Sequence, residues 1–147
     1  MPPPRPHPEL GSVAVEFALV AVVFVTALLA IVGFGHWLHT LEAVADATRA
    51  GARVAVVCDP GAATVRQAIQ IRVPQLSLST AHILVDYLPS GCSRSNCQSV
   101  RVSLSGAAYN PWFLAPGAIP VPAFTTSLPR ESLQSVNDEG EANPVCN

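Results

Sequence analysis

The spacing of apolar positions changes along the chain, and each change predicts a different element. From Phe17 through Leu41, 25 positions pass without a formally charged residue. As a helix this run is about 37 Å long at roughly 1.5 Å per residue, enough to cross a hydrocarbon core of about 30 Å with some tilt. Between Phe17 and Gly35, twelve residues are Leu, Ile, Val or Phe. Each favours insertion by about 0.3 to 0.6 kcal/mol, so the run tolerates Glu16 at its lip, although a carboxylate at the bilayer centre costs roughly 2.5 to 3.5 kcal/mol.

From His36 to Val57 the helix continues with a different pattern. Trp37, Leu41, Val44, Thr48, Ala52 and Ala55 form a stripe at spacings of three and four, while Glu42, Asp46, Arg49 and Arg53 take another face. Ala43, Ala45, Ala47, Ala50, Gly51 and Ala52 allow close backbone approach, either by a partner helix or by the chain's own sheet. Trp37, between His36 and His39, suits the headgroup level of a membrane. Cys58-Asp-Pro-Gly61 is a turn signal. Residues 62–73 then read as a short helix with Val65 and Ile69 on one side, joined there by Val73 or Ala68, and Pro74 stops it.

Beyond that point the period falls to two. Ala81–Tyr87 and Ser99–Ser105 read as strands joined by the polar loop Pro89–Cys97. Proline-rich sequence follows Gly106, so residues 107–117 are expected to form a crossover loop that packs Tyr109, Trp112 and Phe113 over the sheet. A third strand is expected over Phe124–Leu128, at an edge, followed by a mobile acidic tail. The elements predict an α+β fold: a long N-terminal helix, a short helix and a small antiparallel sheet. The expected divisions are 1–11, a leader or cytoplasmic tail; 12–57, the long helix; 58–135, a small extracytoplasmic domain; and 136–147, the tail.

Composition narrows the function. A net charge of −2, 50% hydrophobic residues and only 12% charged residues suit a membrane-anchored chain and not a nucleic-acid binder, which needs a basic patch. The 147 residues leave room for one membrane helix and one small domain. Five prolines among residues 1–10 favour an extended leader. A secretory signal peptide is the competitor for this region, but the apolar run exceeds the usual h-region of about 7 to 15 residues.

Four cysteines in such a domain read as two disulfides, with three connectivities possible. Pairing Cys92 with Cys97 closes a local loop worth roughly 2 kcal/mol, and pairing Cys58 with Cys146 closes one of nearly ninety residues worth roughly 4 to 5 kcal/mol on the loop-entropy model. This connectivity is the preferred one. Zinc is disfavoured because no Cys-x-x-Cys or second close thiol pair is present. The carboxylates of Asp59, Asp86, Glu131, Asp138, Glu139 and Glu141 have no convincing His or Ser partner, and no phosphate loop or dinucleotide fingerprint occurs. No enzymatic activity, cofactor, metal or small-molecule substrate is expected.

The carboxylate of Glu16, five residues after Gly11, gives the most specific reading. The span from Gly11 to Arg53 resembles the TadE-like family, minor pseudopilins of tight-adherence (Flp, type IVb) pilus systems. The G-x-x-x-x-E-F start, the apolar helix closing on Phe34-Gly35, and the exit Ala47-Thr-Arg-Ala-Gly-Ala-Arg53 carry the resemblance. Arg5 is the only fixed cation before Gly11, where the family is usually basic, and Ala50 stands where an acid often precedes Gly-Ala-Arg.

The resemblance implies cleavage between Gly11 and Ser12 by a prepilin peptidase, with Glu16, beside Phe17, meeting the new ammonium of Ser12 or that of a neighbouring subunit. It also implies other pseudopilins and the pilus assembly platform as partners through the helix. Together with cysteines that look oxidised, it implies an inner-membrane, single-pass protein with a cytoplasmic N-terminus and an extracytoplasmic domain, displayed in a surface pilus or acting in a related secretion platform. The alternative is a bitopic protein that never polymerises and uses its disulfide-bonded domain to bind a partner.

Overall fold

The computed structural model describes residues 10–111 and 117–146. Helix α1, Leu10–Val57, is continuous over 48 residues, and α2 spans Ala63–Gln70. Five strands follow: β1 Ile83–Leu88, β2 Ser99–Leu104, β3 Ala108–Tyr109, β4 Ile119–Pro120 and β5 Phe124–Pro129. The architecture is α+β, as the changing apolar period predicts. The chain divides into two compact units, Met1–Trp37 and Leu38–Asn147, so the last five turns or so of α1 belong with the sheet.

In the second unit, β1, β2 and β5 form an antiparallel sheet in the order β1-β2-β5. Val85 faces Val102, which in turn faces Thr126. The period-two pattern of β2 therefore gives one apolar face, on which Val100, Val102 and Leu104 are fully buried. The third strand lies at an edge, as expected. A short 3-10 turn, Thr80–His82, takes the first two residues of the expected strand Ala81–Tyr87, so β1 begins at Ile83. The proline-rich stretch also holds more order than a crossover loop: β3 and β4 form a two-stranded ribbon, extended by the Val121 amide donating to the Ala107 carbonyl at 2.9 Å. Tyr109 is buried, whereas Trp112 and Phe113 lie outside the described residues.

The helical stripe packs within this unit. Thr40, Val44, Ala47, Thr48, Ala52 and Ala55 are buried, and Trp37 and Leu41 are only half-buried. The small residues thus serve packing inside the chain's own domain. Gly51 shows why size matters there: a Cβ on it would lie 2.6 Å from both Cδ1 and Cγ1 of Ile69 in α2. Thr48 satisfies its buried hydroxyl locally, donating to the Ala45 carbonyl at 2.9 Å, and accepts from the Thr126 hydroxyl at 3.4 Å. In α2, Val65 and Ile69 are buried, and Val73 just beyond it is fully buried.

Residues 131–135, between β5 and the expected tail 136–147, dock on the end of α1. The last carbonyls of a helix lack intrahelical donors. Here the amides of Glu131 and Leu133 donate to the Val56 carbonyl at 3.1 and 3.2 Å, and the Gln134 amide donates to that of Val57 at 2.7 Å. Leu133 is fully buried with φ of 47°. The Asp59 amide donates to the Ser135 hydroxyl, and the Ser135 amide returns to the Asp59 carboxylate.

Candidate functional site

The first unit presents Gly11, Ser12, Glu16 and Phe17 on one continuous helix, all exposed. Ser12 and Glu16 stand four residues apart and share a helix face. Below them, large apolar side chains are bare: Phe17 is 73% exposed and Ile31 69%. The helix is long and apolar enough to cross a membrane, with little of its most apolar stretch buried. Bare leucine, valine and phenylalanine over this length are stable in lipid and not in water. This suggests a single-pass membrane anchor.

In the second unit both cysteine pairs are closed. Cys58 joins Cys146 across 88 positions, with Cα atoms 5.5 Å apart, and Cys92 joins Cys97 across five, with Cα atoms 5.0 Å apart. The larger loop encloses the whole sheet. The smaller one sits in the β1–β2 connection, where the Ser93 amide donates to Asn96 Oδ1 at 2.6 Å. Arg94 in this loop pairs with Asp138 at 3.3 Å, and the Arg130 guanidinium donates to the Arg94 carbonyl, so the loop also leans on the C-terminal segment. Exposed pairs of this kind contribute at most about 1 kcal/mol.

Among the described residues, no three His, Cys, Asp or Glu side chains are grouped to hold a metal. Asp59, Asp86, Glu131, Asp138, Glu139 and Glu141 are exposed turn and surface groups. One feature escaped the sequence reading. Tyr87 on β1 points its hydroxyl toward the turn at Asp59 to Gly61, where it is buried and lacks a well-formed hydrogen bond. Burial raises its pKa above 10.0 and the Asp59 charge adds to this, while the Gly61 amide opposes both. Alternation marks Tyr87 as one face of a strand, but only the fold reveals the turn it meets.

A helix-anchored, doubly disulfide-bonded α+β domain is the class of protein these features define. Residues 11–53 match the family model described as TadE-like protein, the family whose motifs Gly11–Arg53 resemble. No curated protein and no solved structure matches the chain. The matched helix and its apolar run support a membrane protein related to tight-adherence pili.

Proposed function

We propose that this chain is a minor pseudopilin, a non-enzymatic component of tight-adherence (type IVb) pilus assembly or of a related secretion platform. The observation that carries the reading is the placement of Glu16. It stands exposed at the start of the bare apolar helix, four residues after Ser12, within the segment that matches the TadE-like model. A prepilin peptidase cuts after Gly11 and creates an ammonium on Ser12. The Glu16 carboxylate then meets that ammonium, or the one on an adjacent subunit, in a low-dielectric setting where an unpaired charge is costly. Phe17 and the apolar side chains beyond it contact lipid or neighbouring pseudopilin helices.

In this reading the N-terminus is cytoplasmic in the inner membrane, and the disulfide-bonded domain lies on the oxidising side, where such bonds persist. The test is the N-terminus of the mature protein from its native host. Ser12 is the expected first residue, and a retained Met1 in cells with an active prepilin peptidase overturns processing. Glu16→Ala is expected to leave the protein in the membrane but absent from the assembled structure. Unchanged assembly of that variant removes the pairing role.

A further inference from the structure

The two edges of the three-stranded sheet are protected differently. In β5 the outward-pointing backbone positions alternate up to Pro129, which has no amide to offer, and Pro122 precedes the strand. In β1 neither proline nor lysine interrupts the strand. The Ser105 amide donates to the His82 carbonyl, and Leu84, Asp86 and Leu88 continue that alternate pairing with β2. The backbone groups of Ile83, Val85 and Tyr87 therefore point away from the sheet.

Alongside that edge runs a cleft of about 230 Å³, walled by Ile83, Val85 and Tyr87 of β1 and by Gly61, Val65 and Arg66 at the start of α2. Its lining is mixed, apolar side chains alternating with Thr80, Arg66 and exposed backbone, and Leu84 at its mouth is 51% exposed. Arg66 is the only charged residue lining the cleft and has no carboxylate within ion-pair distance among the described residues.

We propose that the open edge of β1 takes up an extended segment of another polypeptide, which lies between β1 and α2 and sets an acidic side chain against Arg66. Backbone pairing at Ile83, Val85 and Tyr87 supplies affinity, the cleft takes alternate apolar side chains, and Arg66 selects for charge. The edge strands of a second copy fit poorly. The only acid of β1 is Asp86, which alternates with Val85 and Tyr87 and so lies on the opposite sheet face, and β5 has no acid. The proposal does not depend on pseudopilin processing or on Glu16.

The experiment replaces Leu84 with a photo-cross-linking benzoyl-phenylalanine in the full-length chain, irradiated in the membranes of its native host. The expected product joins this chain to one other polypeptide, at an extended segment carrying Asp or Glu. Its yield falls about tenfold with Arg66→Glu and is retained with Arg66→Lys. A product with a second copy of this chain, a lipid adduct, no product, or a yield indifferent to Arg66→Glu each overturns the proposal. Amide exchange supplies a second reading: the Ile83, Val85 and Tyr87 amides should exchange freely in the isolated chain and slow about tenfold in the complex. Protection already present in the isolated chain overturns it as well.

Discussion

One helix, α1, solves opposite packing problems in its two halves. Over residues 13–38 it exposes large side chains such as Phe17, Val23 and Ile31, whereas from Thr40 onward it buries small ones such as Ala47, Ala52 and Ala55. The first stretch carries no charge from Phe17 to Leu41, whereas the second sets Glu42, Asp46, Arg49 and Arg53 opposite its apolar stripe. Residue size separates them as well. Large side chains fill space beside fluid lipid, and small ones let a sheet and a second helix approach the backbone.

The largest expected effect separates the halves most cleanly. Replacing Cys58 and Cys146 together by Ser reopens a loop of 88 positions and should lower the stability of the second unit by about 4 to 5 kcal/mol on the loop-entropy model. Denaturant unfolding of the domain reads this, and membrane association should not change. A loss under 1 kcal/mol would mean that the hydrogen bonds at Val56 and Val57 close the domain without the sulfur bridge.

Leu29→Arg attacks the other half, placing a charge mid-run at an expected cost of roughly 3 to 4 kcal/mol for insertion. The membrane-bound fraction after alkaline extraction should fall, with the disulfides of any soluble product still formed. Unchanged extraction would argue against the anchor.

A matched pair of glycine substitutions sharpens the contrast. Gly51→Ala forces Ile69 to move and should destabilise the domain by about 1 to 3 kcal/mol. Gly35→Ala meets nothing within 4 Å and should leave domain unfolding unaltered. Equal effects from both would erase the size argument.

Tyr87→Phe is the smallest. Removing a buried hydroxyl without a well-formed partner should change stability by less than about 1 kcal/mol near neutral pH. Its pH dependence is more informative. The folded-state pKa lies above the unfolded value of 10.0, so the folded state holds this proton more tightly, and the associated stability is present below pH 10 and lost as pH rises through the folded pKa. The variant should show a shallower alkaline loss than the parent. Identical alkaline profiles would rule out this linkage.

Elements with a clear local period were legible in the sequence: α1 and α2 follow from spacings of three to four and β2 from a spacing of two, while β1 and β5 were expected as strands without so clear a period. The ribbon of β3 and β4 was not, because two residues per strand carry no period and Pro120 speaks against a strand. The Cys58–Cys146 tie to the tail was expected, but the docking of segment 131–135 on the end of α1 was not. Its anchors are backbone amides meeting the end of a helix more than seventy residues away, which composition does not encode. At the candidate site, the order of Gly11, Ser12, Glu16 and Phe17 was visible in sequence. The open edge of β1 was not, because alternation reveals that a strand exists but not which neighbours it lacks.

The Cys58–Cys146 clasp also fixes how the molecule carries mechanical load. Tension applied between α1 and the chain's end passes from one sulfur to the other, so the enclosed sheet bears almost none of it and need not unravel when the anchor is pulled.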